Sequence, residues 1–477
     1  MGEKGRPAGS CRRIRFGTGG WRAVIGDDFT RENVERVAGA LCRMLRDEKK
    51  DGKPVMIGYD RRFLSEAAAG WISDVLTSCG FDVIRTRRSV PTPLVMFSVE
   101  KLGLHVGIEV TASHNPAAYD GIKVIVGEGR DAPVEFTSKL EEYIDRYPEL
   151  PPEAGKPGSV TYLKTPFNGF LDSIISMLDM ETIRNAGLRI LFDSMHGSAT
   201  FPLVTVLCTA RCTLDMINNN KDAFFGGANP APGPDQLKQL TDLVVDGRYD
   251  LGIAVDGDGD RVGIIDPSGE YLSANQLIVM LYSYLHEYRG WRGPVVRNIA
   301  TTHMLDHLAE DYGEKCYEVP VGFKYVSSKM DEVDAVLGGE SSGGLTVRGH
   351  IHGKDSIYAA SLIVEMIAAT GKTPMQLWEE LTGRYGPHVL RESNLSFEPE
   401  DRQRIDQLLM QEKKIPDFGR AVEKVGYADG CKVYFADGSF VICRFSGTEP
   451  LLRIFAEAES AEAADGIISV MKRFCMN

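Results

Sequence analysis

Asp256, Asp258 and Asp260 alternate with glycines directly after an apolar segment of the chain. The glycines permit tight backbone turns, so three carboxylates can converge on one hard cation. The run is not an EF-hand loop, because Arg261 and Pro267 stand where that loop needs Gly and Glu. Three carboxylates leave coordination room for a phosphate oxygen, so the pattern favours Mg²⁺ in a phosphoryl-transfer site. An exposed acidic turn is the structural alternative.

A second run, residues 111–116, reads Thr-Ala-Ser-His-Asn-Pro and ends the apolar segment 106–110. A strand that stops at such a corner presents the Ser113 hydroxyl at the tip of a sheet, where α/β proteins bind their ligands. A plain Asn-Pro turn fits the same residues. In a Ser/His hydrolase, His114 would be a poor base for Ser113, because neighbours on an extended strand point apart.

Two further loops carry groups suited to a phosphorylated sugar. Residues 444–450 read Arg-Phe-Ser-Gly-Thr-Glu-Pro, with Arg453 beyond, and can form an anion cradle or a hairpin turn with a solvated arginine. Residues 338–344 read Gly-Gly-Glu-Ser-Ser-Gly-Gly, which suits sugar hydroxyls but also fits a flexible surface loop. Residues 16–22 resemble a dinucleotide fingerprint only superficially, because Arg22 replaces its third glycine and no strand precedes it.

The bulk composition limits the class of protein. With 477 residues and one domain per ~150 residues, the chain should form three or four domains. The net charge of −13 disfavours a nucleic-acid or anionic-membrane partner, and no apolar run reaches the ~18 residues of a membrane span. The nine scattered cysteines indicate no disulfide framework, and no signal-peptide pattern is present. We therefore expect a cytoplasmic protein; its oligomeric state is not predicted.

Short apolar runs with Gly/Asp/Ser-rich tips alternate with helix-period segments, which is typical of α/β domains. Prolines and acids near residues 148–157 indicate a linker, and hairpin turns become frequent after Gly383. We predict three α/β domains followed by a separate C-terminal α+β domain. Their predicted bounds are 1–154 with the serine loop, 155–266 with the aspartate loop, 267–382 with the sugar loop, and 383–477 with the phosphate loop.

In this combination and order, the five motifs resemble the α-D-phosphohexomutase superfamily, the phosphoglucomutases and phosphomannomutases, over essentially the whole chain. The resemblance implies four domains around a deep central cleft, namely three similar α/β domains with mixed sheets and a differently folded C-terminal α+β domain. It also implies a phosphoserine at Ser113 and a Mg²⁺ ion held by Asp256, Asp258, Asp260 and Ser113.

The resemblance carries further roles onto single residues. It implies that Lys123 handles protons, that Arg22 and Arg261 lie beside the phosphoserine, and that residues 444–448 bind the non-reacting phosphate. It also places Lys324 at the cleft. The candidate catalytic residues are Ser113, Lys123, Arg22, Arg261, His114 and His350, and the candidate substrate-binding residues are Glu340, Ser342, Lys324, Arg444, Ser446, Gly447, Thr448 and Arg453.

The sugar loop departs from the family pattern at two positions. Gly344 stands where the loop often ends in histidine, and Ser341 matches neither the glucose-specific nor the glucosamine-specific version. We expect His350 to supply the missing imidazole, with packing or helix capping as the alternative. The predicted reaction interconverts hexose 1-phosphate and hexose 6-phosphate, with glucose as first choice and mannose second, and with hexose 1,6-bisphosphate as intermediate and activator. A sugar-phosphate phosphatase and a non-catalytic sensor are the alternatives.

Overall fold

The structure, a computed structural model, describes residues 14–17, 19–163, 166–445 and 451–476. These residues form four sheets that follow one another along the chain. Parallel and antiparallel pairs mix in the first three sheets, whereas the fourth is antiparallel throughout. The predicted class, three α/β units followed by an α+β unit, is confirmed. Within the described ranges, no helix is long and apolar enough to cross a membrane.

The first unit carries a seven-stranded sheet in the order β1-β5-β4-β2-β3-β7, with β6 paired to β5. Its strands are β1 (Trp21–Val24), β2 (Val55–Tyr59), β3 (Val83–Arg85), β4 (Val106–Val110), β5 (Tyr119–Val126), β6 (Arg130–Asp131) and β7 (Val160–Tyr162). Its helices are α1 (Arg31–Asp47), α2 (Ser65–Ser78), α3 (Thr92–Lys101) and α4 (Val134–Arg146). β7 comes from the segment assigned above to the second domain, yet it pairs with β3 of this sheet.

The second unit has the strand order β12-β11-β10-β8-β9. Its strands are β8 (Arg189–Asp193), β9 (Thr213–Ile217), β10 (Leu251–Val255), β11 (Val262–Ile265) and β12 (Tyr271–Leu272). Its helices are α5 (Pro166–Met177), α6 (Met180–Ala186), α7 (Thr200–Thr209) and α8 (Lys238–Gly247). Every residue of β10 is buried, as expected for a strand covered on both faces.

The third unit has the strand order β14-β13-β15-β16. Its strands are β13 (Val295–Asn298), β14 (Cys316–Val319), β15 (Leu337–Gly339) and β16 (Leu345–Val347). Its helices are α9 (Ala274–Glu287), α10 (Met304–Asp311), α11 (Phe323–Val333), α12 (Ser356–Thr370) and α13 (Pro374–Tyr385). The helices α9 and α13 each begin with a capping box, so their first amides are satisfied by side chains.

The fourth unit has the strand order β17-β21-β20-β19-β18. Its strands are β17 (Val389–Ser396), β18 (Val422–Gly426), β19 (Cys431–Phe435), β20 (Phe440–Phe445) and β21 (Leu451–Ala458). Its helices are α14 (Pro399–Asp406) and α15 (Ala461–Met476).

One hydrophobic core joins the first three units. Helix α3 of the first unit packs on α5, and α12 of the third unit packs on α6 and α7 of the second. Asp355 caps the start of α12 by accepting hydrogen bonds from the amides of Ile357 and Tyr358. This core fixes the loops after β4, β10 and β15 relative to one another, and these loops hold the motifs with Ser113, Asp256 and Glu340.

Candidate active site

Ser113 lies in a strained corner directly after β4. Its φ is +51°, in the left-handed region that non-glycine residues rarely adopt. Its amide donates to Thr111 Oγ1 at 2.8 Å, and its carbonyl accepts from the buried guanidinium of Arg62 at 2.6 Å. Arg62 also donates to the carbonyls of Asn115, Pro116 and Tyr119 and pairs with Asp60 at 3.3 Å. One buried arginine thus holds the whole serine loop in place, and it was not predicted from the sequence.

The three predicted aspartates form one buried cluster after β10. One carboxylate oxygen from each lies within 4.8 Å of the others. Ser113 Oγ donates to Asp256 Oδ2 at 3.1 Å, so the serine loop and the aspartate loop meet. Asp256 Oδ1 accepts from the amides of Asp260 and Arg261 at 2.9 and 3.1 Å, which holds the loop folded around the cluster.

The donor set of this cluster fits a divalent cation. Asp258 Oδ1 and Asp260 Oδ1 are buried and have no hydrogen-bond partner among the described residues. Burial and the charges of Asp260 and Asp258 raise the pKa of Asp256 well above its usual range. A bound cation would be a partner for the two unpaired oxygens and would reduce the repulsion between the carboxylates. Carboxylate oxygens are ligands that suit Mg²⁺.

Two lysines pair with the other carboxylate oxygens of Asp258 and Asp260. Lys123, on β5, donates to Asp258 Oδ2 at 2.6 Å and to Asp260 Oδ2 at 3.0 Å. Burial alone would lower the pKa of Lys123, but the charges of Asp258 and Asp260 outweigh it and raise the pKa above its ordinary value. Lys354 Nζ also lies 3.0 Å from Asp260 Oδ2. Both ammonium groups therefore lie at the edge of the aspartate cluster.

The predicted arginines Arg22 and Arg261 flank the serine loop. Arg22, on β1, donates to Asn115 Oδ1 at 2.6 Å, and Arg261 Nε lies 3.8 Å from Asp260 Oδ1. Burial and the charge of Arg261 lower the pKa of Arg22, so the two guanidinium groups lie close enough to repel each other. Two repelling cations beside a hydroxyl form a site that favours an anion.

His114 lies closer to the serine than its place in the sequence indicates. Its Nδ1 is 3.3 Å from Ser113 Oγ. The expectation that the two side chains point apart is wrong, because the positive φ of Ser113 turns the chain out of the extended conformation. Burial and the charges of Arg261 and Arg22 hold the pKa of His114 well below its usual range. The imidazole beside the serine is therefore neutral.

The sugar loop after β15 packs against the aspartate loop. The amide of Val262 donates to the carbonyl of Gly343 at 3.3 Å. Glu340 Oε1 accepts from the amide of Gly322 at 2.9 Å and from Asn298 Nδ2 at 3.2 Å. Ser342 Oγ lies 3.5 Å from the other oxygen of Glu340.

Lys324 lies two residues beyond Gly322, in the first turn of α11. Burial lowers its pKa, against the opposing charges of Asp131 and Glu135. The loop that carries Lys324 is joined to the sugar loop by the hydrogen bond from Gly322 to Glu340.

Lys354 occupies the space beside the glycine that replaces the family's histidine. A Cβ atom added to Gly344 would lie 1.9 Å from Lys354 Cδ and 2.5 Å from its Cγ. No side chain fits at position 344 while Lys354 runs past it to Asp260. The sequence analysis selected His350 from segment 348–354, although Lys354 lies in the same segment. The contact of Lys354 with Asp260 joins residues that are distant in sequence, so the sequence alone does not reveal it.

His350 is not brought to the aspartate cluster. Its Nε2 lies 2.7 Å from Asp355 Oδ2, and its ring stacks on Tyr358 with centroids 4.6 Å apart. Asp355 is the residue that caps α12, next to Lys354. These contacts favour the packing and capping alternative; a catalytic role for His350 stays a prediction.

The predicted phosphate loop is described only at its edges. Arg444, at the end of β20, faces Arg453 of β21 in the strand register. Arg444 Nε pairs with Asp429 Oδ2 at 3.2 Å, and Arg453 Nη1 lies 3.8 Å from Glu392 Oε1. Ser446, Gly447 and Thr448 lie outside the described residues. Their predicted role in phosphate binding stays a prediction.

Comparison with known families agrees with this arrangement. Models for the phosphoglucomutase/phosphomannomutase domains match four consecutive parts of the chain. They are α/β/α domain I over residues 13–150, domain II over 168–269, domain III over 273–385 and the C-terminal domain over 405–472. The four matches follow the order of the four sheets.

Whole-length relatives carry mutase names. A phosphoglucomutase/phosphomannomutase of Thermococcus kodakarensis is 29% identical over 94% of this chain and 95% of its own. A Methanopyrus kandleri protein assigned as a phosphoglucosamine mutase is 30% identical over 96% of this chain and 98% of its own. A solved structure from Thermus thermophilus, assigned as a phosphomannomutase, is 28% identical with a TM-score of 0.84, covering 98% of this chain and 99% of its own. The chain therefore belongs to the phosphoglucomutase/phosphomannomutase family of the α-D-phosphohexomutase superfamily.

Proposed function

We propose that this enzyme interconverts hexose 1-phosphate and hexose 6-phosphate through a phosphorylated Ser113 and a bisphosphorylated sugar. The supporting observation is the position of Ser113 Oγ, 3.1 Å from Asp256 in a buried cluster of carboxylates and lysines. Phosphoryl transfer depends on position and positive charge more than on a strong nucleophile, and this cluster offers both. A hydrolase that attacks carbonyl groups would have no use for three carboxylates beside its serine.

The aspartate cluster would hold Mg²⁺ through Asp256, Asp258 and Asp260, next to Ser113 Oγ. When bound, the ion supplies Lewis-acid stabilisation of the charge on the transferring phosphoryl group. Lys123 and Lys354 pair with the Oδ2 atoms of Asp258 and Asp260, which are not needed to bind the metal. The two lysines therefore keep the aspartates in place and add positive charge.

In the first half-reaction, the bond between phosphorus and Ser113 Oγ breaks while a sugar hydroxyl bonds to the same phosphorus. The hydroxyl proton ends on Ser113 Oγ. The neutral imidazole of His114, 3.3 Å from that oxygen, can pass a proton to it or take one from it. Arg22 and Arg261 stabilise the anionic phosphoryl group during the transfer.

In the second half-reaction, the other phosphate of the sugar returns to Ser113, and the sugar oxygen left behind gains a proton. We assign proton donation to this oxygen to Lys354, which occupies the space of the family's histidine. Arg444 and Arg453 would bind the non-reacting phosphate together with Ser446, Gly447 and Thr448. Glu340, Ser342 and Lys324 would bind the sugar hydroxyls in both orientations.

Glucose phosphate remains our first choice of substrate and mannose phosphate the second. The name of the Thermococcus kodakarensis relative supports both sugars. The phosphoglucosamine mutase assignment of the Methanopyrus kandleri relative makes the amino sugar a direct competitor. Hexose 1,6-bisphosphate would act as the activator, since it can phosphorylate Ser113 without net consumption.

Coupled assays test this proposal. Glucose 1-phosphate, mannose 1-phosphate and glucosamine 1-phosphate are supplied separately with Mg²⁺ and the matching 1,6-bisphosphate, and inorganic phosphate is measured in parallel. We expect 6-phosphate formation without phosphate release, with the highest kcat/KM for glucose, and no turnover by Ser113→Ala. Stoichiometric release of inorganic phosphate would show a phosphatase instead. A higher kcat/KM for glucosamine would overturn our choice of sugar but not the mutase reaction.

A further inference from the structure

One carboxylate joins the fourth unit to the third beside the predicted phosphate loop. Asp429, in the turn between β18 and β19, accepts a hydrogen bond from the amide of Val321 at 2.9 Å. The same oxygen, Oδ2, lies 3.2 Å from Arg444 Nε. Asp429 therefore contacts its own unit through Arg444 and the third unit through Val321.

The segment that Asp429 holds is also held by the sugar loop. Val321 precedes Gly322, whose amide donates to Glu340 Oε1 at 2.9 Å. The amides of the successive residues Val321 and Gly322 thus donate to Asp429 of the fourth unit and to Glu340 of the third unit, respectively. The loop continues into α11 and carries Lys324 in the first helical turn. A movement of Asp429 would therefore displace this loop, and with it Lys324 and the hydrogen bond to Glu340.

The turn that carries Asp429 is pressed against Arg444. Gly430 has φ +89°, and a Cβ at this position would lie 2.4 Å from the carbonyl oxygen of Cys443 and 2.7 Å from Arg444 Cβ. A glycine is therefore required for this close approach. The ion pair engages Nε of Arg444, whereas its two terminal nitrogens form the fork that matches a phosphate. This contact is an ion pair without a hydrogen bond from Nε, and it holds the guanidinium beside the turn without using that fork.

Lys432 forms a more deeply buried part of the interface between the third and fourth units. Lys432 is fully buried and donates to the carbonyl of Ile299 at 2.7 Å and to Glu318 at 2.6 Å, both in the third unit. Apolar side chains of both units, among them Ile299 and Phe440, pack beside it. Asp429 is about a quarter exposed. The contact of Asp429 with Val321 is therefore easier to open than the contacts of Lys432.

We propose that Asp429 is a positioning residue that aligns Arg444 and latches the fourth unit to the sugar loop. This inference rests on the proposed mutase reaction, in which the bisphosphate must turn between two transfers. When the fourth unit moves, the hydrogen bond from the Val321 amide to Asp429 breaks. Asp429 and Arg444 move together, because both belong to the fourth unit. The latch keeps the bisphosphate in the site, and its loss allows the intermediate to escape.

Three variants separate the two contacts. Asp429→Ala removes both, and Asp429→Asn keeps an acceptor for Val321 but removes the charge that faces Arg444. Val321→Pro removes the amide donor and leaves the ion pair in place. Asp437→Asn is the matched control, because Asp437 occupies the next hairpin turn of the same unit and faces Arg420 and Ser439 instead of the site.

The measurements are kcat, KM for the sugar monophosphate, the bisphosphate concentration for half-maximal rate, and the bisphosphate released per turnover. For Asp429→Ala we expect KM and the bisphosphate requirement to rise about tenfold each, equivalent to about 1.4 kcal/mol, with a smaller change in kcat. Asp429→Asn should raise KM alone, and Val321→Pro should raise bisphosphate release alone. The control should stay within about twofold of the wild type in each quantity.

Wild-type values in Asp429→Ala would overturn the inference while leaving the mutase proposal intact. Calorimetric binding of hexose 6-phosphate to Ser113→Ala, with and without Asp429→Ala, gives a second reading that needs no turnover. Equal affinities would remove Asp429 from the phosphate site. A wild-type enzyme without mutase turnover, but with weaker binding in the double variant, would overturn the reaction and retain the positioning of Arg444.

Discussion

A methyl group added at position 344 should disable the enzyme by displacing Lys354. In the native structure Lys354 passes Gly344 on its way to Asp260, and a Cβ on residue 344 would lie 1.9 Å from Lys354 Cδ. Carbon atoms in contact lie about 3.5–4.0 Å apart, so Cδ must move by about 1.5–2 Å. Because Cγ is also too close, at 2.5 Å, the side chain has to take another path and Nζ leaves Asp260.

The expected magnitude follows from the role assigned to Lys354. Loss of a positioned proton donor typically lowers turnover about 10²–10⁴-fold. Gly344→Ala should therefore lower kcat by about 10²-fold or more with a modest effect on KM. Lys354→Gln should do the same. The double variant should be no worse than either single variant, because both remove the same group.

The assay is steady-state turnover with the preferred sugar phosphate at saturating Mg²⁺ and bisphosphate. Gly383→Ala is the matched control, since a Cβ there meets no atom within 4 Å. Gly344→His combined with Lys354→Ala should recover at least about tenfold over Lys354→Ala, because it restores an imidazole where the family often has one. Gly344→Ala with kcat within a few-fold of the wild type would refute the reasoning.

Three more changes test other parts of the site. Asp258→Asn should abolish the rise in melting temperature caused by Mg²⁺ and lower turnover by orders of magnitude; near-full activity in chelator would exclude a metal mechanism. Arg444→Lys should lower kcat/KM about tenfold or more, since an ammonium cannot reproduce the guanidinium fork; an unchanged kcat/KM would remove Arg444 from the site. Burial and the charges of Asp60 and Asp258 raise the pKa of Glu109 well above its usual range, so native stability falls as pH rises above the unfolded pKa. Glu109→Met should therefore gain stability over the wild type between pH 5 and 8, by about 1–3 kcal/mol at the upper end in urea unfolding, and a pH-independent difference would contradict this.

The order of elements was largely readable from the sequence. The segments 55–59, 106–110 and 251–255 are strands, as the sequence pattern of a short apolar run ended by a polar tip indicates for each of them. The amphipathic pattern from Glu32 to Arg46 and a threonine before it indicate a capped helix; the helix spans Arg31–Asp47, and Thr30 accepts from the amide of Asn33. These features depend on local patterning, which a single sequence contains.

The contacts that complete the site were not readable. Arg62 clamps a loop about fifty residues away, and Lys354 pairs with an aspartate of another unit. No local pattern distinguishes either residue from a solvated cation. His114 was misjudged because Arg62, which is distant in sequence, acts together with the nearby Thr111 to hold the left-handed turn at Ser113. Tertiary contacts decide such positions.

The most direct test of the proposed mechanism is the covalent state of Ser113. Intact-mass and peptide mass spectra are recorded for the purified enzyme, then after incubation with hexose 1,6-bisphosphate and Mg²⁺, and again after a chase with sugar monophosphate. We predict one phosphoryl group, located on Ser113, substoichiometric at first, increased by the bisphosphate and decreased by the chase. An active preparation without phosphorylated Ser113 under any of these conditions would contradict the mechanism.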